Sequence, residues 1–184
     1  MEQKDSCAWW RRRIDRTTRI FQVYRIDHIL GFYRIYAVPW MPSDNAKFLD
    51  LSHEEAAALT GGRLPRFLPR PDWSKEDKLA NLNDGDRYLK MVLSAVNGAD
   101  VVGEDLGCVP DYVRPQMRML DIPGFKIPHW EIMENGEIQK GSEYHECSFA
   151  TYATHDFPPI SITWNEIYHR VLPGRDAEEK NRED

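Results

Sequence analysis

Three acidic residues each follow a short apolar, strand-like run: Asp27 in Tyr-Arg-Ile-Asp-His, Glu104 in Val-Val-Gly-Glu-Asp-Leu-Gly, and Asp156 in Ala-Thr-His-Asp. Carboxylates at the C-terminal ends of successive parallel strands converge on one mouth, where an α/β barrel keeps its chemistry. Two carboxyls about 5 Å apart can open a glycosidic bond with retention. One, ionised, attacks the anomeric carbon; the other, protonated, gives the leaving oxygen its proton. Arg25 lies two residues before Asp27 on the same strand face, and a guanidinium there favours the charged form that a nucleophile needs. Val101, Val102 and Gly103 precede Glu104, and partly apolar surroundings favour the protonated form of a general acid. His155-Asp156 sets a donor beside a third carboxylate, a pair able to clamp sugar hydroxyls and stabilise positive charge on the ring.

Each motif also has a plain structural reading. Arg25 and Asp27 could be an ion pair, Glu104-Asp105 could complement the dipole of the next helix, and His155-Asp156 could be a satisfied turn. What favours chemistry is that all three acids fall at the same kind of place, the end of an expected strand. None of this chemistry calls for a metal. A glycine-rich phosphate cradle, an HExxH-type zinc motif and a nucleophile elbow are all missing from the sequence. His28 and His129 also lie near strand ends, where contact with substrate and a structural hydrogen bond fit equally, so neither is named catalytic. Trp40, Trp73, Trp130 and Trp164 could stack on sugar rings or anchor loops.

The elements that must position these residues follow from periodicity. Ser6 is expected to cap a helix with Trp10, Ile14 and Thr17 on one side. Phe21 to Ile26 reads as a strand, rich in aromatic and β-branched residues. Pro39 to Asp86 reads as an irregular rim excursion holding one short helix, announced by the capping-box form Ser52-His53-Glu54-Glu55 and ended near Gly61. After Asp86, Tyr88, Met91, Val92 and Ala95 form a helical stripe, and Asp100 to Gly103 a buried strand. Pro110 opens a helix with Val113, Met117 and Leu120 facing the core, and Phe125 to Trp130 is the next strand. Asn135-Gly136 between Ile132 and Ile138 signals a hairpin, and Phe149 to Ala153 a further strand. Ile160, Trp164, Ile167 and Val171 follow helical spacing beyond Pro158-Pro159.

This alternation implies parallel strands joined by crossovers, four of them. A closed eight-stranded barrel takes about 250 residues, so a chain of 184 residues supplies roughly half of one. The expected fold is an incomplete α/β (β/α)8 TIM barrel with rim insertions. Residues 1–174 form the partial catalytic domain, 39–86 its long rim insertion, and 175–184 a charged, frayed tail.

Composition narrows the function classes. With 41% hydrophobic and 29% charged residues the chain can build a core, and its net charge of −6 gives no general reason to bind nucleic acid or an anionic membrane. Arg11, Arg12 and Arg13 read as a solvated helix face. Cys7, Cys108 and Cys147 are odd in number and widely spaced, which suggests neither a disulfide framework nor a zinc site. No secretory signal and no apolar run of roughly 20 residues is found, so a cytoplasmic location is expected.

On these residues the chain resembles the amylomaltases, the 4-α-glucanotransferases of glycoside hydrolase family 77 in the α-amylase clan. The likeness rests on Tyr24-Arg25-Ile26-Asp27-His28 with Gly31-Phe32, on Gly103-Glu104-Asp105-Leu106-Gly107, on Pro123-Gly124-Phe125-Lys126 and on Thr154-His155-Asp156, in that order. The resemblance implies that Asp27 is the nucleophile after the fourth barrel strand, Glu104 the acid/base after the fifth and Asp156 the transition-state stabiliser after the seventh. Arg25 and His155 look like ligands of the attacked sugar. It further implies transfer of α-1,4-glucan segments among maltooligosaccharides to the 4-hydroxyl of an acceptor such as glucose or maltose, through a covalent glucosyl-enzyme and with no cofactor. A hydrolase of the same clan and a non-catalytic glucan-binding segment both stay open. Phe157-Pro158-Pro159 and the long excursion look more like the larger bacterial and plant disproportionating enzymes than the compact form. Since the first three barrel strands are absent by this reading, the chain is expected to have an unpaired sheet edge and to be inactive alone.

Overall fold

Of the three residues on the expected face of the first helix, only Ile14 is buried, and Trp10 stays 41% exposed. That helix, α1 (Ala8–Thr18), starts two residues after the expected cap: Cys7 holds the N-cap position in a left-handed conformation and no side chain caps the end. Ser6 is itself left-handed, at φ 51°, which removes it from the extended geometry a capping serine adopts. The computed structural model describes residues 6–166, 168 and 169. The chain divides into two units, Met1–Gly124 and Phe125–Asp184.

In the first unit α1 leads into β1 (Val23–Ile26), a 3-10 turn over Ile29–Phe32, and β2 (Ile35–Ala37). Two short helices follow, α2 (Asn45–Phe48) and α3 (His53–Leu59), then β3 (Arg66–Leu68), the long α4 (Lys75–Leu93), β4 (Asp100–Gly103) and α5 (Val113–Met119). The boundary between the units falls inside β5 (Gly124–Lys126). β1 and β4 run parallel with Ile26 opposite Gly103, and β4 meets β5 in parallel at Gly103 and Gly124. Parallel neighbours need a crossover, which α4 and α5 supply. Ile14, Ile26, Ile29, Tyr33, Leu89, Val92, Val101, Val113, Met117 and Ile122 share one buried cluster.

The rim between Pro39 and Asp86 is more ordered than its prolines suggest. The capping box is formed as expected, the Ser52 hydroxyl accepting from the Glu55 N–H and the Glu55 carboxylate accepting from the Ser52 N–H at 2.8 Å. β3 returns to pair antiparallel with β2, setting Tyr36 opposite Phe67. Helix α4 begins at Lys75, well before Asp86, with Ser74 accepting from the Asp77 N–H at 3.0 Å. Its first half escaped the hydrophobic reading because the buried positions there are Asn81 and Gly85, which carry no apolar side chain.

In the second unit Ser148–Ala150 forms β6, the sheet neighbour of β5, with the Phe125 and Phe149 rings 5.1 Å apart. The strand expected over Phe125 to Trp130 ends at Lys126, because Pro128 opens a 3-10 turn over Pro128–Trp130. The Asn135-Gly136 hairpin forms, with Ile132 bridged to Ile138 and Gly136 at φ +83°. Backbone over 160–166 is helical. Ile167, Val171 and the expected tail 175–184 lie outside the described residues. Among the described residues no helix is long and apolar enough to cross a membrane.

Candidate active site

The register of β1 and β4 brings two of the three acids together. Ile26 and Gly103 are paired Cα positions, so Asp27 and Glu104 are the next residues on adjacent strands, whose backbones lie about 4.8 Å apart. The Glu104 N–H donates to the Ile26 carbonyl at 2.8 Å and the Ile29 N–H to the Glu104 carbonyl at 3.0 Å, extending the ladder beyond the strand ends. Arg25 Nη2 meets Asp27 Oδ1 at 2.6 Å, the same-face pairing that a period of two requires. Asp27 is 71% exposed at its side chain, open to a ligand from above.

Glu104 does not meet the apolar surroundings that Val101 and Val102 suggested, because both valines are spent in the core. Its carboxylate instead accepts from the His28 N–H at 2.7 Å and the Leu106 N–H at 3.0 Å. His28 can aim its N–H at Glu104 because it turns left-handed, at φ 44°, immediately after Asp27. For a non-glycine residue that geometry costs roughly 1–2 kcal/mol, which the two-strand junction must sustain. The loop that carries the candidate nucleophile therefore grips the candidate acid/base.

Asp105, by contrast, is 3% exposed and belongs to the support. Arg114 Nε donates to Asp105 Oδ2 at 2.8 Å and Arg114 Nη2 to its carbonyl at 3.2 Å. A Cβ at Gly124 would lie 2.7 Å from both Asp105 oxygens, so residue 124 must be glycine for this carboxylate to sit where it does. Sequence reading took Gly124 as part of the Pro123-Gly124-Phe125-Lys126 likeness and not as a partner of Asp105.

In the second unit His155 and Asp156 share a turn, the Asp156 N–H donating to Thr154 Oγ1 at 3.2 Å and the Phe157 N–H to the Thr154 carbonyl. His155 Nε2 lies 3.3 Å from Asp156 Oδ1, and both side chains are exposed. Asp156 sits on this turn and not directly at a strand end, since β6 stops at Ala150.

The β2–β3 ribbon beside the first two acids was not read from sequence. Arg34 ion-pairs with Asp72 at 2.7 Å, both side chains largely buried, and its guanidinium lies 3.8 Å over the Phe67 ring. Asp72 also accepts from the Asn81 side-chain amide at 2.9 Å and from the Tyr112 hydroxyl at 3.0 Å. Burial and then that hydrogen bond push the Tyr112 phenol up to about 12, so it remains a donor at neutral pH. No signal in the sequence announced this network, because the part of α4 that carries Asn81 inward was not legible there.

The profile of glycoside hydrolase family 77, described as 4-alpha-glucanotransferase, matches residues 1–184. A 4-alpha-glucanotransferase of Chlamydia caviae is 30% identical over 164 residues, covering 88% of this chain and 26% of that protein. The 4-alpha-glucanotransferase DPE2 of Oryza sativa subsp. japonica is 53% identical over 88 residues, 47% of this chain and 8% of that one. The crystal structure of amylomaltase from Corynebacterium glutamicum shares the fold, with a TM-score of 0.52 and 22% identity over 82% of this chain and 17% of that one. The chain thus spans about a quarter, or less, of the length of each of these proteins.

Proposed function

The chain belongs to glycoside hydrolase family 77, and from that membership we propose that it carries the catalytic carboxylates of a 4-alpha-glucanotransferase. It corresponds to about the fourth to seventh βα units of a (β/α)8 barrel, β1 being the fourth strand and β4 the fifth. Asp27 attacks the anomeric carbon of an α-1,4-glucan while Glu104 protonates the departing 4-oxygen. The glucosyl group stays on Asp27 as an ester. Glu104 then takes the proton from the 4-hydroxyl of an acceptor maltooligosaccharide, glucose or maltose, whose oxygen displaces Asp27 and restores the α-linkage. Arg25 orients Asp27 through their ion pair, and Asp156 with His155 stabilises the positive charge that develops on the ring.

The observation that carries this reading is the pairing of Ile26 with Gly103, which puts Asp27 and Glu104 side by side on adjacent parallel strands with the loop of one holding the carboxylate of the other. The same structure argues that the 184 residues alone turn over little. Among the described residues β1 pairs only with β4, and Phe21 and Val23 beside its free edge are 57% and 49% exposed. An acid as open to water as Asp27 lacks the walls that exclude it from a reactive ester.

The test uses the full natural chain containing these residues, supplied with maltotriose. Glu104→Gln is expected to lower turnover by about 10²–10⁴ while leaving glucan binding in place. Longer maltooligosaccharides among the products mark transfer, and a proportional rise in reducing ends marks hydrolysis. Unchanged turnover in the variant removes Glu104 from the mechanism.

A further inference from the structure

Each oxygen of the Glu104 carboxylate is held by one backbone N–H, Oε2 by that of His28 at 2.7 Å and Oε1 by that of Leu106 at 3.0 Å. The Leu106 N–H is one end of a peptide unit whose other end is the Asp105 carbonyl. That carbonyl accepts from Arg114 Nη2 at 3.2 Å. The unit is trans. In a planar trans peptide the carbonyl and the N–H point in opposite directions, so a group that fixes the one also fixes where the other aims. A cation on the carbonyl further polarises the peptide and strengthens its N–H as a donor.

The guanidinium is itself anchored. Its Nε donates to Asp105 Oδ2 at 2.8 Å, so Arg114, at the start of α5, grips the side chain and the main chain of one residue at once. The Asp105 carboxylate is buried in the space that a side chain at Gly124 would need. A buried carboxylate requires a cation beside it, and any cation would serve for charge balance. Charge balance does not require a fork that also reaches the carbonyl, which a planar guanidinium supplies and an ammonium does not. We propose that Arg114 is a positioning residue for Glu104, acting through the Asp105–Leu106 peptide to aim the N–H that orients the carboxyl. The inference rests on the reading of Glu104 as acid/base given above and adds to it the group that sets its direction. A misplacement of about 1 Å can cost roughly a hundredfold in rate. Loss of one tether of two, with His28 still in place, is accordingly expected to cost about tenfold.

The test is made in the full natural chain with two donors, maltotriose and α-maltosyl fluoride. Fluoride departs without a proton, so its release needs the nucleophile but not the general acid. Arg114→Lys keeps a cation beside Asp105 and loses the reach to the carbonyl. It is expected to lower kcat for maltotriose about tenfold with KM held within about twofold, and to leave kcat/KM for fluoride release within about twofold of the parent. Arg114→Ala gives the same split between the donors, on a protein that also melts lower. If Arg114→Lys turns over maltotriose at the parent rate, charge balance is all that Arg114 provides and the positioning role is refuted. An equal loss on both donors refutes it as well, because a general disturbance of the fold does not distinguish the leaving groups. Glu104→Gln is run beside these variants, and it is expected to lose maltotriose turnover and keep fluoride release. If Glu104→Gln leaves maltotriose turnover unchanged, the proposed mechanism falls and the role of Arg114 falls with it. If Glu104→Gln behaves as expected and Arg114→Lys does not, the role of Arg114 alone falls and the proposed function stands.

Discussion

Replacing Gly85 by Ala sets two opposed effects against each other at a position that supports the candidate site from behind. Gly85 is buried in the middle of α4. In a helix interior alanine is favoured over glycine by about 1 kcal/mol, so helix propensity alone forecasts a stabler protein. Packing forecasts the reverse. A Cβ at residue 85 would lie 2.8 Å from Tyr33 Cγ and closer still to Cδ1 and Cε1 of the same ring. Ordinary carbon contacts begin near 3.5 Å, so the ring must retreat by about 1 Å or more. Tyr33 is 1% exposed and its ring already meets that of Tyr112, so it has nowhere to go without moving the backbone that leads into β2. Overpacking of this kind costs about 1–3 kcal/mol, and the upper part of that range applies to an enclosed ring. The expected balance is a loss of about 1–2 kcal/mol, read as a fall in Tm of roughly 2–8 °C for a chain of this length. Thermal unfolding followed by circular dichroism measures it. In a Tyr33→Ala background the collision is gone, and Gly85→Ala is then expected to stabilise, giving a coupling of about 2–3 kcal/mol in the double-mutant cycle. A Gly85→Ala protein that melts higher than the parent would refute the packing argument outright.

Arg114→Ala removes the cation from the buried Asp105 carboxylate, and urea denaturation is expected to show a loss of about 2 kcal/mol, below the roughly 3–5 of a fully enclosed pair because Arg114 is itself half in water. An unchanged midpoint would mean that Asp105 does not depend on that guanidinium. The backbone N–H and then the hydroxyl of Ser52 hold the Glu55 carboxyl below its ordinary value of 4.5. A depressed carboxyl contributes stability above that value and loses it as the pH falls through the folded-state value. The protection of the α3 amides, their exchange rate taken relative to the intrinsic rate at each pH, is therefore expected to be higher above pH 4.5 and to fall below it. Glu55→Gln should flatten this dependence; an acid response that survives the substitution would place its origin elsewhere.

What could be read from sequence was whatever lay on a regular period or a short local signal. Asp100 to Gly103 was legible because three buried residues, Val101 to Gly103, are bounded by turn signals. The Ser52–Glu55 box and the Asn135-Gly136 hairpin were legible because each is closed by its own neighbours. Arg25 and Asp27 facing the same way followed from strand alternation. The first half of α4 was not legible, since its inward positions, Asn81 and Gly85, make sense only once Asp72 and Tyr33 are known to lie opposite them. The β2–β3 ribbon was hidden for a related reason: three-residue strands far apart in sequence leave no periodicity to detect. At the site, the positions of Asp27 and Glu104 came from motifs, but what holds Glu104 did not. Backbone N–H groups carry no residue identity, and the left-handed turn at His28 that aims one of them is not announced by a glycine.

The missing Cβ at Gly124 and the buried carboxylate of Asp105 occupy the same space in turn. Two stretches that look like separate signatures, Glu-Asp-Leu-Gly and Pro-Gly-Phe, are thus a single fitted joint. A larger residue at 124 requires the Asp105 carboxylate to shift, and with it the contact to Arg114. Swapping either stretch by itself between distant relatives is a graft that fails at this joint, whereas exchanging the whole run from Gly103 to Phe125 carries its own fit with it.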